Sequence, residues 1–228
     1  MGLHEELSAE VKQTFADRWS IRKGTVVPES ADLVLGNEGV ELDATVLYAD
    51  LAESTNLVDT HSPQFAAEIY KTYLYCAARI IRSEGGEITA YDGDRVMAVY
   101  LGGTKNTAAA RTALKINYAV LYIINPAIGA AYPKVNYRIK QVVGVDTSSL
   151  LAARTGVRGD NDLVWVGTAA NHAAKLTGLA PTHSSNISDA VYDVILDDAK
   201  LSSKGEAMWQ RFTWNGKIIY RSNWWYRV

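Results

Sequence analysis

The chain has 228 residues, 48% hydrophobic and 21% charged, with a formal net charge of −2. That composition can bury a core, which excludes a disordered chain, and its near-neutral charge excludes general binding of polyanions such as nucleic acid. A single cysteine, Cys76, excludes an intrachain disulfide, and the four histidines (His4, His61, His172, His183) are scattered without zinc-ligand spacing.

Residues 1–20 read as a helix, with Val11, Phe15 and Trp19 recurring every four residues on one face. The acidic opening lacks the apolar run of a signal peptide, and Glu6 stands where a myristoylation signal needs Ser or Thr. No stretch approaches roughly 18 consecutive apolar residues, so a cytoplasmic protein without membrane contact is expected. A Gly/Pro/Asn-containing stretch from Gly24 to Gly39 then leads to the first strand, Ala44–Ala49, apolar on both faces and so central in its sheet. Residues 1–38 are expected to be an N-terminal helix and linker, and 39–228 a single main domain.

Ser62-Pro63 opens a long helix whose buried stripe is Phe65, Ile69, Tyr73, Cys76 and Ile80, ended by Gly85-Gly86. Glu87–Tyr91 and Arg95–Tyr100 read as strands joined at an Asp92-Gly93 turn. A second helix spans Thr107–Ile124, with Asn125-Pro126 as its stop. Tyr137–Val145 is a further strand, and a Gly-rich loop over 155–162 leads to strand Leu163–Val166. Gly167-Thr168 starts a third helix through Leu176. The Trp-rich tail predicts a closing hairpin with Asn215-Gly216 at its turn, its aromatics packing sheet and core. Strand, helix, strand, strand, helix, strand is the ferredoxin-like βαββαβ order: an α+β sandwich with helices on one face of a mostly antiparallel sheet, here with C-terminal strand additions. The other face would be left for a second subunit to cover.

Three segments carry chemistry. Tyr48-Ala-Asp-Leu-Ala-Glu-Ser-Thr55 ends a buried strand in Asp50, and Tyr91-Asp-Gly-Asp94 places Asp92 and Asp94 at a hairpin. In this topology Asp50 and Asp94 would stand side by side and repel unless a cation lay between them; oxygen ligands without His or Cys suit Mg²⁺ or Mn²⁺. The plainer reading is that Asp50 caps a turn and Asp92 makes a hairpin. In Gly167-Thr-Ala-Ala-Asn171-His-Ala-Ala-Lys175-Leu176, Asn171 and Lys175 lie four apart on one helix face, an arrangement for a sugar oxygen and a developing phosphoryl charge, or simply a solvated polar face. His172 reads as incidental.

Together the segments resemble class III nucleotidyl cyclases, whose patterns run aromatic-Ala-Asp-Ile-x-Gly-x-Thr, Gly-Asp-x-Val-Met-Ala-x-Phe and Gly-x-x-Val-Asn-x-Ala-Ala-Arg-Leu; here they stand as Tyr-Ala-Asp-Leu-Ala-Glu-Ser-Thr, Gly-Asp-Arg-Val-Met-Ala-Val-Tyr and Gly-Thr-Ala-Ala-Asn-His-Ala-Ala-Lys-Leu, over roughly residues 40–180. The resemblance implies a head-to-tail homodimer with shared active sites. Asp50, Asp94 and the Leu51 carbonyl of one subunit would hold two divalent ions, Mg or Mn, facing Asn171 and Lys175 of the other. The ions would activate the ribose 3′-hydroxyl and hold the triphosphate. Arg158 is the candidate for the triphosphate, against a plain surface-loop role.

Adenylate cyclases carry a Lys four residues before the second metal Asp, and an Asp or Thr three before the glycine of the last motif, to read adenine. Here those positions are Ala90 and Val164, which cannot hydrogen-bond a base edge. Tyr48, two residues before Asp50, could narrow the pocket for a smaller base or merely pack its strand. Lys175 replaces the usual Arg, giving a point charge in place of a fork. These features resemble the pyrimidine cyclases of the Pycsar anti-phage system. That resemblance implies a pyrimidine nucleoside triphosphate as substrate, UTP favoured over CTP, and a cyclic nucleotide read by a separate effector protein. An adenylate or guanylate cyclase with relaxed base readout and a non-catalytic cyclase-like regulatory dimer are the alternatives. A diguanylate cyclase is set aside because its Gly-Gly-Asp/Glu-Glu-Phe turn is absent.

Overall fold

Helix α1 (Leu3–Ala16) carries Glu5 and Glu6 in its first turn, where carboxylates complement the helix dipole. In the computed structural model, which describes residues 2–228, none of its residues is buried; Met1, the head of the expected helix, lies outside the described residues. The apolar stripe of Leu3, Leu7, Val11 and Phe15 is exposed. The end of α1 is nevertheless tied down: the Asn37 amide donates to the carbonyls of Thr14 and Asp17 at 2.8 and 2.9 Å. The linker then contributes a short strand, β1 (Ser20–Lys23), parallel to the start of β2, and a 3₁₀ turn at Ser30–Asp32.

Strand β2 (Glu38–Ala52) is longer than the six residues expected. Leu47, Ala49 and Leu51 point into one apolar cluster and Val40, Leu42, Ala44 and Val46 into another, so both of its faces are covered. A short helix α2 (Ser54–Thr60) follows, then α3 (Pro63–Ser83), whose Ser62 cap accepts the Phe65 N–H at 3.3 Å. Phe65, Ile69, Tyr73, Ala77 and Ile80 form its buried stripe, while Cys76 is half-buried beside it. Strands β3 (Glu87–Asp92) and β4 (Arg95–Tyr100) pair Asp92 with Arg95. The loop is therefore Gly93-Asp94, not Asp92-Gly93, and Gly93 takes φ +61° at its first position, where glycine is favoured. This one-residue shift places Asp94 at the tip.

Asn125-Pro126 does not stop the second helix. Helix α4 (Lys105–Ala119) widens into a π turn at Val120–Ile124 and continues as α5 (Asn125–Ala131) with Pro126 in its first turn. Proline costs little there, and the buried Asn125 amide holds both backbone groups of Ile139 at 2.8 and 3.1 Å. The expected strand at 137–145 is β5 (Lys140–Val157). The Gly-rich loop is absorbed into a hairpin with β6 (Asp160–Val166), turned at Arg158-Gly159. Helix α6 (Thr168–Thr177) lies where expected. After it come β7 (Ser185–Ser188), α7 (Asp189–Val194) and α8 (Asp197–Lys200), then the closing hairpin of β8 (Gln210–Trp214) and β9 (Lys217–Ser222) around Asn215-Gly216. Both turn residues have positive φ, as an Asn-Gly hairpin requires. Trp209 is buried with its indole N–H on the Ala199 carbonyl at 2.7 Å, and Trp225 packs against Tyr118 and Tyr122.

The sheet runs β3-β4-β2-β5-β7-β9-β8, with β1 beside β2 and β6 beside β5. Its β3-β4-β2-β5 portion is the expected ferredoxin-like core. Helices α3 and α4 cover one face and bury the larger cluster, each large aliphatic or aromatic side chain contributing about 1.5–3 kcal/mol. The second face is not bare, as the sequence suggested. Helix α6 and the linker residue Leu33 cover part of it, because Gly144 on β5 leaves room for the helix backbone to approach.

Candidate active site

Asp50 sits near the end of β2, directly across from Arg95 on β4, so Asp94 at the hairpin tip is its close neighbour. Burial and the charge of Asp94 push the Asp50 carboxyl up to about 6, against the opposing pull of Arg95, the Thr177 hydroxyl and the Leu51 N–H. Thr177, at the end of α6, donates to Asp50 Oδ2 at 3.3 Å. Asp94 Oδ2 is buried and has no hydrogen-bond partner among the described residues. The Tyr73 hydroxyl is likewise buried and unpaired; burial raises its pKa first, and the charges of Asp50 and Asp94 add to it. Asp92 serves differently, accepting from Arg95 Nη2 at 2.6 Å and bracing the hairpin.

After Asp50 the chain turns sharply. Glu53, at φ +61°, holds the left-handed position before α2 where the resembled pattern has glycine, at a cost of roughly 1–2 kcal/mol. Its carboxylate pairs with Lys140 at 3.2 Å.

Tyr48 is half-buried against the second cluster, as is Ala90, and the Arg95 guanidinium stands 5.4 Å from the Tyr48 ring centre. Burial raises the Tyr48 pKa, with Arg95 opposing, so its hydroxyl remains a donor at neutral pH. Val164 faces outward on β6, 40% exposed. Neither Ala90 nor Val164 offers a side-chain polar group at its position.

Asn171 and Lys175 lie together on the exposed face of α6 and make no side-chain hydrogen bond or ion pair among the described residues. Arg158 is at the exposed tip of the β5–β6 hairpin. The fold thus brings Asp50 and Asp94 together, groups Asn171 with Lys175 on the exposed face of α6, and puts Arg158 at the tip of the β5–β6 hairpin. Sequence reasoning missed Tyr73, Thr177 and Arg95 in this setting. Tyr73 was visible only as a core-stripe residue, and nothing in the pattern ties Thr177 to Asp50, 127 positions away.

The fold matches solved cyclases. A light-regulated bacterial adenylyl cyclase aligns with TM-score 0.68 and 19% identity over 82% of this chain and 52% of its own. An adenylyl cyclase from P. aeruginosa aligns with TM-score 0.66 and 18% identity over 81% of this chain and 95% of its own. No family model matches the chain. Uridylate cyclases from Xanthomonas perforans and Burkholderia cepacia are 52% and 51% identical, covering 100% and 98% of both chains in each pairing. A third, from Rhodovulum sp. (strain MB263), is 33% identical over 99% of this chain and 98% of its own. The chain belongs to the uridylate cyclase family. It is a class III nucleotidyl cyclase.

Within this family member the acid pair suits hard cations. Among the described residues no group of three or more His, Cys, Asp or Glu forms an all-protein metal cage. Two carboxylates are what a Mg²⁺-type ion uses when substrate phosphates and waters complete its shell. The buried Asp94 Oδ2, unpaired among the described residues, and the raised Asp50 pKa fit residues that would hold a cation.

That strain predicts a stability effect. Because the folded Asp50 carboxyl titrates near 6, above a free carboxylate, its ionisation destabilises the fold. The penalty is absent below about pH 4, grows as pH rises through about 6 and is complete above it. In metal-free buffer Asp50→Asn should therefore melt higher than the parent at about pH 7.5, with the gap closing near pH 4. Solvent screening trims the effect to about 1 kcal/mol, or 2–4 °C for a domain of this size. Equal melting temperatures at both pH values, by scanning calorimetry with chelator present, would show that ionising the buried Asp50 carboxyl beside Asp94 costs the fold nothing.

Proposed function

We propose that this enzyme cyclises a pyrimidine nucleoside triphosphate, UTP ahead of CTP, to the 3′,5′-cyclic nucleotide and pyrophosphate. It acts as a homodimer with two shared sites, and its product is a signal in anti-phage defence read by a separate effector protein. The observation that carries the reading is the convergence of Asp50 on Asp94 with a buried oxygen unpaired among the described residues, while Asn171 and Lys175 share the exposed face of α6 with no side-chain hydrogen-bond or ion-pair partner among them. One protomer then offers two half-sites that only a second copy completes.

In this reading residues 39–228 are the catalytic unit and 1–38 its attached helix and linker. Asp50 and Asp94, with the Leu51 carbonyl, are the ligands for two Mg²⁺ or Mn²⁺ ions. When bound, the ions supply a lowered 3′-hydroxyl pKa and neutralisation of triphosphate charge. The Asn171 amide of the partner holds the ribose so that O3′ faces the α-phosphorus in line with the departing pyrophosphate. Lys175 places its ammonium where charge grows on the α-phosphate. Arg158 is assigned to the triphosphate, for which a guanidinium gives bidentate contacts.

Pyrimidine preference rests on the names of the relatives and on the absence of a purine reader. Ala90 and Val164 leave a purine edge unpaired, and Tyr48 packs against the same cluster as Ala90, on the other side of Met97. The anti-phage role rests on the motifs' likeness to the Pycsar cyclases. A cytoplasmic setting is in keeping with the helices, of which none among the described residues is long and apolar enough to cross a membrane. The deciding experiment offers purified enzyme ATP, GTP, CTP and UTP with Mn²⁺ and identifies products by mass. Cyclic UMP should dominate, with cyclic CMP second. Turnover of ATP or GTP at equal or greater rate would end the pyrimidine assignment.

A further inference from the structure

Helix α6 presents only small residues to the sheet near its start: Ala169, Ala170 and Ala173 are its contribution to the second cluster. Such a smooth start interlocks little side chain, in contrast to the other end of the helix, where Leu176 is fully buried and Thr177 bonds to Asp50. Strand β5 compensates with three contacts on alternate residues of one face. Gly144 lies under Ala173, where an added Cβ would stand 2.1 Å from the Ala173 carbonyl oxygen; this sets the depth of the helix. Ser148 Oγ accepts the Ala169 N–H at 3.0 Å, which sets its start. Between them Asp146, 4% exposed, meets His172 Nδ1 at 2.9 Å.

The Asp146–His172 contact is buried and one-sided. Burial alone would raise the Asp146 pKa, but hydrogen bonds from His172, Ser188 and the Thr147 N–H hold it below the usual carboxylate range, so Nδ1 carries the shared proton. His172 is 8% exposed, its ring stacks on Trp214 at 5.9 Å, and its Nε2 is buried without a hydrogen-bond partner among the described residues. Such a pair adds little net stability, yet it tolerates only one arrangement. It lies off the helix axis, one residue from Asn171 and three from Lys175.

We propose that Asp146 and His172 are positioning residues for catalysis: the pair fixes the rotation of α6 and thereby the direction in which Asn171 and Lys175 point. The inference rests on the reading that those two side chains act in the partner's site. A helix turned by a fraction of a step still binds nucleotide through the acid end but misplaces the groups that meet the transition state.

His172→Val should lower kcat on the order of 10²-fold with KM nearly unchanged. His172→Asn, which keeps an N–H where Nδ1 stood, should recover most of the rate. The exchange Asp146→His with His172→Asp should outperform either single change. Mixing His172→Val with Asp50→Ala protein should restore activity, because the heterodimer joins intact acids to an intact α6; mixing His172→Val with Lys175→Ala should not. Asp50→Ala mixed with Lys175→Ala is the control for the shared site. Should that control recover activity while the His172→Val mixture does not, the positioning role is wrong and the shared site stands. Should the control itself fail, the shared site is wrong, and kcat still decides the role of His172. A loss in His172→Val that merely follows its folded fraction by circular dichroism, or no advantage of His172→Asn over His172→Val, overturns the inference.

Discussion

Asp50→Ala and Asp94→Ala are each expected to lower cyclisation by about 10³-fold or more, the several kcal/mol that Lewis-acid stabilisation supplies. The fold should persist. The Asp50 carboxylate accepts only from the Thr177 hydroxyl at 3.3 Å and the Leu51 N–H among the described residues, and Asp94 Oδ2 has no partner among them. Burial first and the Asp94 charge second lift the Asp50 pKa to about 6, so removing the Asp50 carboxylate relieves both and removing Asp94 relieves the second, and melting temperature should hold or rise. Asp92→Ala is the contrast: its carboxylate is engaged by Arg95 at 2.6 Å, and its loss should loosen the hairpin and cost about tenfold or less through misplacement of Asp94. Cyclic nucleotide measured by mass, alongside melting and gel filtration, decides the matter. Near-normal turnover in either Asp50→Ala or Asp94→Ala would refute the metal-ligand assignment. An Asp92→Ala loss as deep as the Asp94→Ala loss would show that the hairpin's acids were assigned to the wrong positions.

Local chemistry made much of this fold legible. The Ser62-Pro63 start, the Gly85-Gly86 stop and the Asn215-Gly216 turn each fix backbone geometry within a few residues, and each element appears where those residues place it. Where a signal depended on distant partners, the reading slipped. Asn125-Pro126 looks like a stop because proline breaks an α-helical ladder; the π turn before it, held by Asn125 on Ile139, removes the conflict. The glycines of 155–162 suggest a loop, yet Gly156 and Gly159 at positive φ serve a hairpin instead. Of the candidate site, Asp50, Asp94, Asn171 and Lys175 follow from motif spacing. Their supports do not: His172 reads as incidental because its partner Asp146 is 26 residues away, on a strand that sequence ends at Val145.

Equal mixing of Asp50→Ala and Lys175→Ala proteins, each nearly inactive alone, should restore about a quarter of parental activity. Random reassortment puts half the chains' dimers in the mixed form, and one of the two sites in each mixed dimer is free of both lesions. The outcome is discriminating because the two lesions strike different groups: Asp50 accepts from Thr177 at the C-terminal end of α6, while Lys175 faces outward from the same helix without an ion-pair or side-chain hydrogen-bond partner among the described residues. If catalysis were completed within one subunit, every dimer in the mixture would carry a lesion in each site and no activity would return. Recovery should also depend on exchange. It should appear after co-refolding or prolonged incubation at low concentration and be absent just after mixing, in proportion to dimer dissociation. A mixture that stays inactive after proven subunit exchange leaves Asn171 and Lys175 as a solvated helix face and returns the search for the transition-state cation to the acid-bearing protomer itself.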